Sequence, residues 1–174
     1  MDESRGGEVE HRPPKFEQIV AGYGALISRI AMSYESDAAM RQDLVQQIFL
    51  AIWQALPNFR GESSLKTFVA TIAQNRSISH LARRAREPRV TELPEELALD
   101  GPSPEDSANE ASERDLLLRA TQNLPLPQRQ VIVLVLEGFS YIEIADMLEI
   151  PQNALALRIS RAKAALKTML EQDR

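Results

Sequence analysis

The chain has 174 residues, of which 44% are apolar, no cysteine and a formal net charge of −5. Its length permits one medium domain or two small ones. The missing cysteines exclude disulfides, a thiol nucleophile and Cys-based zinc sites, and the two histidines, His11 and His80, are too few for a His-based metal cluster.

Residues 1–13 hold two Arg against four acids, net −2, and read as a disordered tail. The opening MDESRGGEVEHRPP lacks the apolar core of a signal peptide. No apolar run approaches the roughly 18 residues of a membrane span. The expectation is a soluble protein of a reducing cytoplasm, without membrane insertion. Scarce aromatics and scarce Val/Ile/Thr alternation argue against an all-β fold.

Residues 14–90 form the first module, with ten Lys+Arg against six acids, net +4. It has room for four or five helices. Phe16, Ile19, Val20, Tyr23, Leu26, Ile27 and Ile30 follow the three-four spacing of a buried helical stripe over Lys15–Tyr34. Ser36 or Asp37 can cap a second helix running to about Leu56, with a wide apolar face of Leu44, Val45, Ile48, Phe49, Ile52 and Trp53 and with Pro57 after its end. After the loop PNFRGESS, Ser63 or Ser64 can cap a third helix from Leu65 to about Arg86. Its inward positions are Leu65, Phe68, Val69, Ile72 and Ala73, and Pro88 marks its exit. Arg76, Arg83, Arg84, Arg86 and Arg89 concentrate positive charge near its end. Such a cluster can neutralise phosphates, or it can be a solvated helix end complementing the macrodipole.

Residues 91–112 carry seven acids and no base, net −7, with three prolines. They lack apolar periodicity and read as a flexible acidic linker. The second module, 113–174, has eight charges of each sign. A short helix over Asp115–Asn123 is closed by Leu124-Pro125-Leu126-Pro127. A second spans Gln128–Glu137 and is broken by Gly138. Ser140 and Glu143 have the spacing of a capping box, opening a short helix to about Leu148. After Glu149-Ile150-Pro151 the last helix carries the stripe Leu155, Ile159, Ala162, Leu166 and Met169 or Leu170. A short helix, a tight turn and a longer helix make a helix-turn-helix pattern, whose second helix enters a DNA major groove. The same pattern also serves as an ordinary hairpin in a small bundle.

Several segments together carry a resemblance. DLVQQIFLAIWQALPNFRGESSLKTFVATIAQNRSISHLARRARE (43–87) resembles region 2 of extracytoplasmic function sigma factors of the sigma-70 family. LPLPQRQVIVLVLEGFSYIEIADMLEIPQNALALRISRAKAAL (124–166) resembles their region 4. The most specific pieces are Asp43-Leu-Val-Gln46, Phe59-Arg-Gly-Glu-Ser-Ser64, Ile72-Ala-x-Asn75 and Gly138-Phe-Ser-Tyr-x-Glu-Ile-Ala145. The resemblance implies an all-α fold of two small helical domains. It implies a dissociable subunit that binds bacterial RNA polymerase core, directs it to promoter DNA and melts the −10 element. No catalytic residues and no cofactor are implied, and an anti-sigma factor is a further implied partner.

On this resemblance the second helix meets polymerase, through Asp43, Gln46, Gln47 and Trp53. The loop and third helix meet the −10 element, through Asn58, Arg60, Gly61, Ser63, Ser64, Lys66, Asn75, Arg76, Ser79, His80, Arg83 and Arg84. Phe59 is expected to anchor the loop to the bundle. The last helix meets the −35 element, through Gln152, Asn153, Leu157, Arg158, Ser160, Arg161 and Lys163. The chain departs from the family pattern in several places. Glu149 stands where the turn usually has Gly, so the turn is expected to be strained or to differ. Pro151 replaces the usual capping Ser, and Ala154, Ala156 and Leu157 replace a Thr, a Lys or Arg, and a Ser. These changes motivate an alternative reading, a sigma-like decoy that sequesters an anti-sigma factor without acting at promoters. A stand-alone helix-turn-helix regulator would leave the first module without purpose. Enzyme readings lack a Gly-rich phosphate loop, a metal cluster or a nucleophile–base pair.

Overall fold

The computed structural model describes residues 14–86 and 105–172, and every regular element among them is helical. In the first module α1 spans Phe16–Tyr34, α2 Ala38–Ala55 and α3 Leu65–Arg84, with a 3₁₀ turn over Leu56–Asn58. Three α-helices and a turn therefore stand where four or five helices had room. The starts obey local chemistry. Asp37 accepts the Met40 amide at 2.8 Å and Ser64 accepts the Thr67 amide at 3.0 Å, each satisfying a donor that the first helical turn leaves without an intrahelical acceptor. Ile19, Leu26, Ile27 and Ile30 of α1, Leu44, Ile48 and Ile52 of α2, and Val69 and Ala73 of α3 are buried together. Val20, expected in the stripe, is exposed.

In the second module α4 spans Glu105–Asn123, α5 Leu126–Leu136, α6 Tyr141–Met147 and α7 Gln152–Gln172. Two boundaries correct the sequence reading. Helix α4 begins at Glu105, ten residues before Asp115 and inside the stretch read as linker, whose residues 91–104 lie outside the described residues. Helix α5 begins at Leu126 and takes Pro127 into its first turn, where a missing N–H costs no hydrogen bond. The capping box forms as expected: the Glu143 carboxylate accepts from the Ser140 amide at 2.7 Å, and the Ser140 hydroxyl accepts from the Glu143 amide at 3.3 Å. Leu155, Ile159, Ala162 and Leu166 of α7 close this core against α4, α5 and α6.

The two modules touch. Helix α1 packs against α4 and α5, and α3 against α6. The junction is rich in polar contacts. The Gln122 amide donates to the Met32 carbonyl at 2.7 Å and the Gln74 amide to the Gln130 carbonyl at 2.9 Å. The Tyr34 hydroxyl meets Gln74, and the Arg129 guanidinium lies 5.7 Å from the Tyr34 ring centroid.

Candidate nucleic-acid interface

The functional surfaces follow from which helix faces the cores leave uncovered. On α2 the buried residues Leu44, Ile48, Ala51 and Ile52 define one face. At 100° per residue, Asp43, Gln46, Leu50 and Trp53 fall on the opposite face, and all four are exposed. Trp53 and Leu50 are 58% and 54% exposed, large for apolar side chains. Gln47 lies to the flank, half-buried. Leu50 was missed by the sequence reading. Its signal was its spacing, four after Gln46 and three before Trp53. Exposed apolar groups ringed by amides and a carboxylate have the composition of a protein–protein contact.

The loop after α2 is held from below. The Phe59 and Phe68 rings lie 4.7 Å apart, pinning the loop to α3. Asn58, Phe59, Arg60, Glu62, Ser63 and Phe68 line an open pocket of about 320 Å³. Gly61 takes φ +73°, a conformation that suits glycine. Ser64 is committed as the α3 cap, while Asn58, Arg60 and Ser63 are exposed.

Along α3 the candidate polar residues divide. Asn75, Arg76 and Ser79 are exposed, with the Ser79 hydroxyl donating to the Asn75 carbonyl at 2.9 Å. Lys66 is half-buried and turned toward the second module, 2.7 Å from the Glu137 carbonyl oxygen. His80 does not lie on this face. It is 2% exposed, and its Nε2 is 2.6 Å from Glu35 Oε2. The same oxygen takes a hydrogen bond from Arg84 at 2.5 Å, and the other accepts from the Asp37 amide at 2.9 Å. Burial pushes the Glu35 carboxyl up, but His80, the Asp37 amide and Arg84 outweigh it and hold the group below the usual carboxylate range. His80 and Arg84 share a face as their spacing required, and that face meets the end of α1. Arg83 is exposed, with a nitrogen 3.4 Å from His80 Nδ1.

In the second module α6 and α7 form the helix-turn-helix. The turn keeps a left-handed residue despite losing glycine: Glu149 has φ +52°, and the Ile150 amide closes onto the Ala145 carbonyl at 3.0 Å. Pro151 precedes α7, and its carbonyl accepts the Leu155 amide at 3.0 Å. The Asn153 side chain accepts the Ala154 amide at 2.8 Å. Asn153, Leu157, Ser160 and Arg161 project opposite the buried stripe and are exposed. Arg158 is half-buried at one flank. Gln152 is exposed at the helix start, and Lys163 lines a groove between α4 and α7 with Leu117, Leu166 and Leu170. The seven candidates thus do not share one surface. Among the described residues no cluster of His, Asp and Glu could hold a metal ion, and no helix is long and apolar enough to cross a membrane.

Comparison with known proteins agrees with this geometry. Residues 19–87 match sigma-70 region 2 and residues 114–166 match sigma-70 region 4. The RNA polymerase sigma-H factor of Pseudomonas aeruginosa is 30% identical over 166 residues, covering 90% of this chain and 86% of that one. The ECF RNA polymerase sigma-E factor of Escherichia coli is 27% identical over the same shares. Among solved structures, the sigma factor RpoE of Bartonella quintana, bound to the anti-sigma factor NepR, superposes with TM-score 0.71 at 26% identity, covering 91% of this chain and 98% of that one. CnrH, bound to the cytosolic domain of CnrY, superposes with TM-score 0.66 at 26% identity, covering 91% and 89%. The chain belongs to the extracytoplasmic function branch of the sigma-70 family and is an alternative sigma factor that directs transcription initiation.

Proposed function

We propose that the outward face of α2, through Asp43, Gln46, Leu50 and Trp53, docks on bacterial RNA polymerase core. The 59–64 loop and α3 engage the −10 element, and the exposed face of α7 engages the −35 element. The observation that carries this division is the α2 stripe: two large apolar side chains stay in water beside amides, on a helix whose other face is already satisfied. Burying a side chain of that size contributes about 1.5–3 kcal/mol, so a partner surface supplies what the fold withholds.

Melting a duplex requires a place for an unstacked base and costs a few kcal/mol. The pocket around Phe59, Arg60, Glu62 and Ser63 offers polar edges and an aromatic floor for one. Asn75 can read a base edge, and Arg76 can hold phosphate. On α7, Arg161 suits phosphate or guanine, Asn153 and Ser160 suit base or backbone contacts, and Leu157 suits a thymine methyl group. The chain contributes binding and placement, and phosphoryl transfer belongs to the polymerase. An anti-sigma factor is the second protein partner, supported by the two structural neighbours solved with anti-sigma partners. A cytoplasmic location accords with these partners.

The test is association of labelled protein with purified core polymerase. Replacing Leu50 and Trp53 together by Ala should weaken the complex at least ten-fold and leave helicity unchanged. Unaltered affinity would exclude this face from the contact.

A further inference from the structure

A polar cluster is buried where α1, α2 and α3 meet, and the contacts proposed for polymerase and promoter leave it without a role. Glu35 caps the end of α1, and its side chain is 1% exposed. One carboxylate oxygen accepts the Asp37 amide at 2.9 Å. The other accepts Arg84 Nη1 at 2.5 Å and faces His80 Nε2 at 2.6 Å. Arg41 of α2 donates to the Glu35 and Ser36 carbonyls at 3.3 and 3.1 Å, so its charge serves the end of α1. Arg83 Nη2 lies 3.4 Å from the second imidazole nitrogen, Nδ1.

These neighbours fix the hydrogens on the ring. An ionised carboxylate only accepts, and a guanidinium only donates. Nε2 against Glu35 therefore carries the hydrogen, and Nδ1 against Arg83 presents its lone pair. A neutral His80 satisfies both sides, whereas an imidazolium would turn an N–H toward Arg83. The adjacent arginines thus have different duties. Arg84 neutralises Glu35. Arg83 is exposed, as are Arg76 and Ser79, and at 100° per residue it falls within about 20° of Arg76 and roughly 10 Å further along α3.

We propose that His80 is a positioning residue for promoter binding: it links Glu35 to Arg83 and holds the Arg83 guanidinium on the outer face of α3, preset for a backbone phosphate of the DNA. The inference rests on reading that face as the promoter contact. An arginine side chain has large rotamer freedom, and one that is already held loses less of it on binding. Removing the Nδ1 acceptor leaves the charge of Arg83 in place and takes away only its direction. Affinity should then fall while the number of phosphates neutralised, and with it the salt slope, stays the same. Removing Arg83 itself should lower both. That difference separates positioning from contact.

With two histidines in the chain, the ring can be observed directly in the full-length protein. Imidazole nitrogen NMR spectra, assigned with His11→Gln, should show His80 with its hydrogen on Nε2 at neutral pH, and Arg83→Ala should move the Nδ1 resonance. A doubly protonated His80, or an Nδ1 resonance unmoved by Arg83→Ala, would overturn the relay whatever the DNA result. Binding is measured with a fluorescein-labelled AT-rich fork-junction DNA over a range of salt. His80→Gln keeps a donor for Glu35 at the Nε2 position and has no acceptor at the Nδ1 position. It should melt near the parent protein, bind about three-fold more weakly and keep the parent salt slope. Arg83→Ala should bind about five-fold more weakly and lower the slope by about 0.7–0.9. Adding His80→Gln to Arg83→Ala should bring no further loss. The same three-fold loss in the Arg83→Ala background would make His80 a purely structural residue and overturn the positioning. Full affinity in the double variant Arg76→Ala, Arg83→Ala would overturn the promoter reading of α3 and the positioning with it, and would leave the ring spectra standing, so the two readings fail separately.

Discussion

Glu149 sits at φ +52°, a region where L side chains cost about 1–2 kcal/mol relative to right-handed backbone. Glycine there relieves the strain and loses part of the gain to chain entropy. Glu149→Gly should therefore stabilise the protein by about 0.5–1 kcal/mol, read as a rise of a few degrees in Tm. No rise would mean that the Glu149 side chain makes a compensating contact. Glu35 sets a second, pH-dependent prediction. Its folded carboxyl lies below the ordinary value near 4.5, so its contribution is complete above that value and is lost as pH falls through the folded one. Stability should fall in acid below about pH 4.5. Glu35→Gln should cost about 1–3 kcal/mol at neutral pH, because His80 and Arg84 lose their acceptor charge, and should flatten the acid loss. An acid profile unchanged by Glu35→Gln would assign the loss to other carboxylates. The strain at Glu149 was legible in the sequence, but the Glu35 cluster was not. His80 and Arg84 are a turn apart in any helical reading, but their partner lies 45 positions away from His80, and only the packing of α1 on α3 reveals it.

The elements were more legible than their ends. Periodicity located α1, α2 and α3 because each buries one face in a small bundle, and side-chain caps at Asp37, Ser64 and Ser140 fixed the starts of α2, α3 and α6. Helix α4 was half-hidden because its first residues, Glu105 to Ser112, carry acids and small polar groups rather than a stripe. Its signal was the acids at the start, which suit a helix N-terminus. Two predictions belong to this scale. Arg76 is exposed while Arg84 holds Glu35, so the pair separates DNA contact from structure. Arg76→Ala should weaken binding to promoter DNA and lower the salt slope by about 0.7–0.9, whereas Arg84→Ala should lower stability with little change in slope. Equal slopes for both variants would remove Arg76 from the interface. On α7, restoring Lys at Ala156 and Ser at Leu157 should strengthen −35 binding, because the helix-turn-helix geometry is intact and only the contacting groups are altered. Flat affinity would mean that α7 does not enter the groove as proposed.

At the scale of the molecule, the order of the modules and the acidic stretch between them were readable from charge and composition. Their closure was not, because it depends on Arg29, Lys66 and Gln74 meeting Glu137 and Gln130 across long sequence separations. The last helix retains its shape but carries fewer charged groups than the family pattern, and on the division of contacts proposed above more of the promoter affinity rests with α3 and the polymerase. That division can be tested at once with purified protein, bacterial core polymerase and fragmented DNA from the source genome, by sequencing the 5′ ends of the RNA made. Discrete start sites that require both proteins, and that disappear when Leu50 and Trp53 are replaced by Ala, are the expected result. No start sites, with core binding intact, would contradict the assignment of this chain as a promoter-directing subunit.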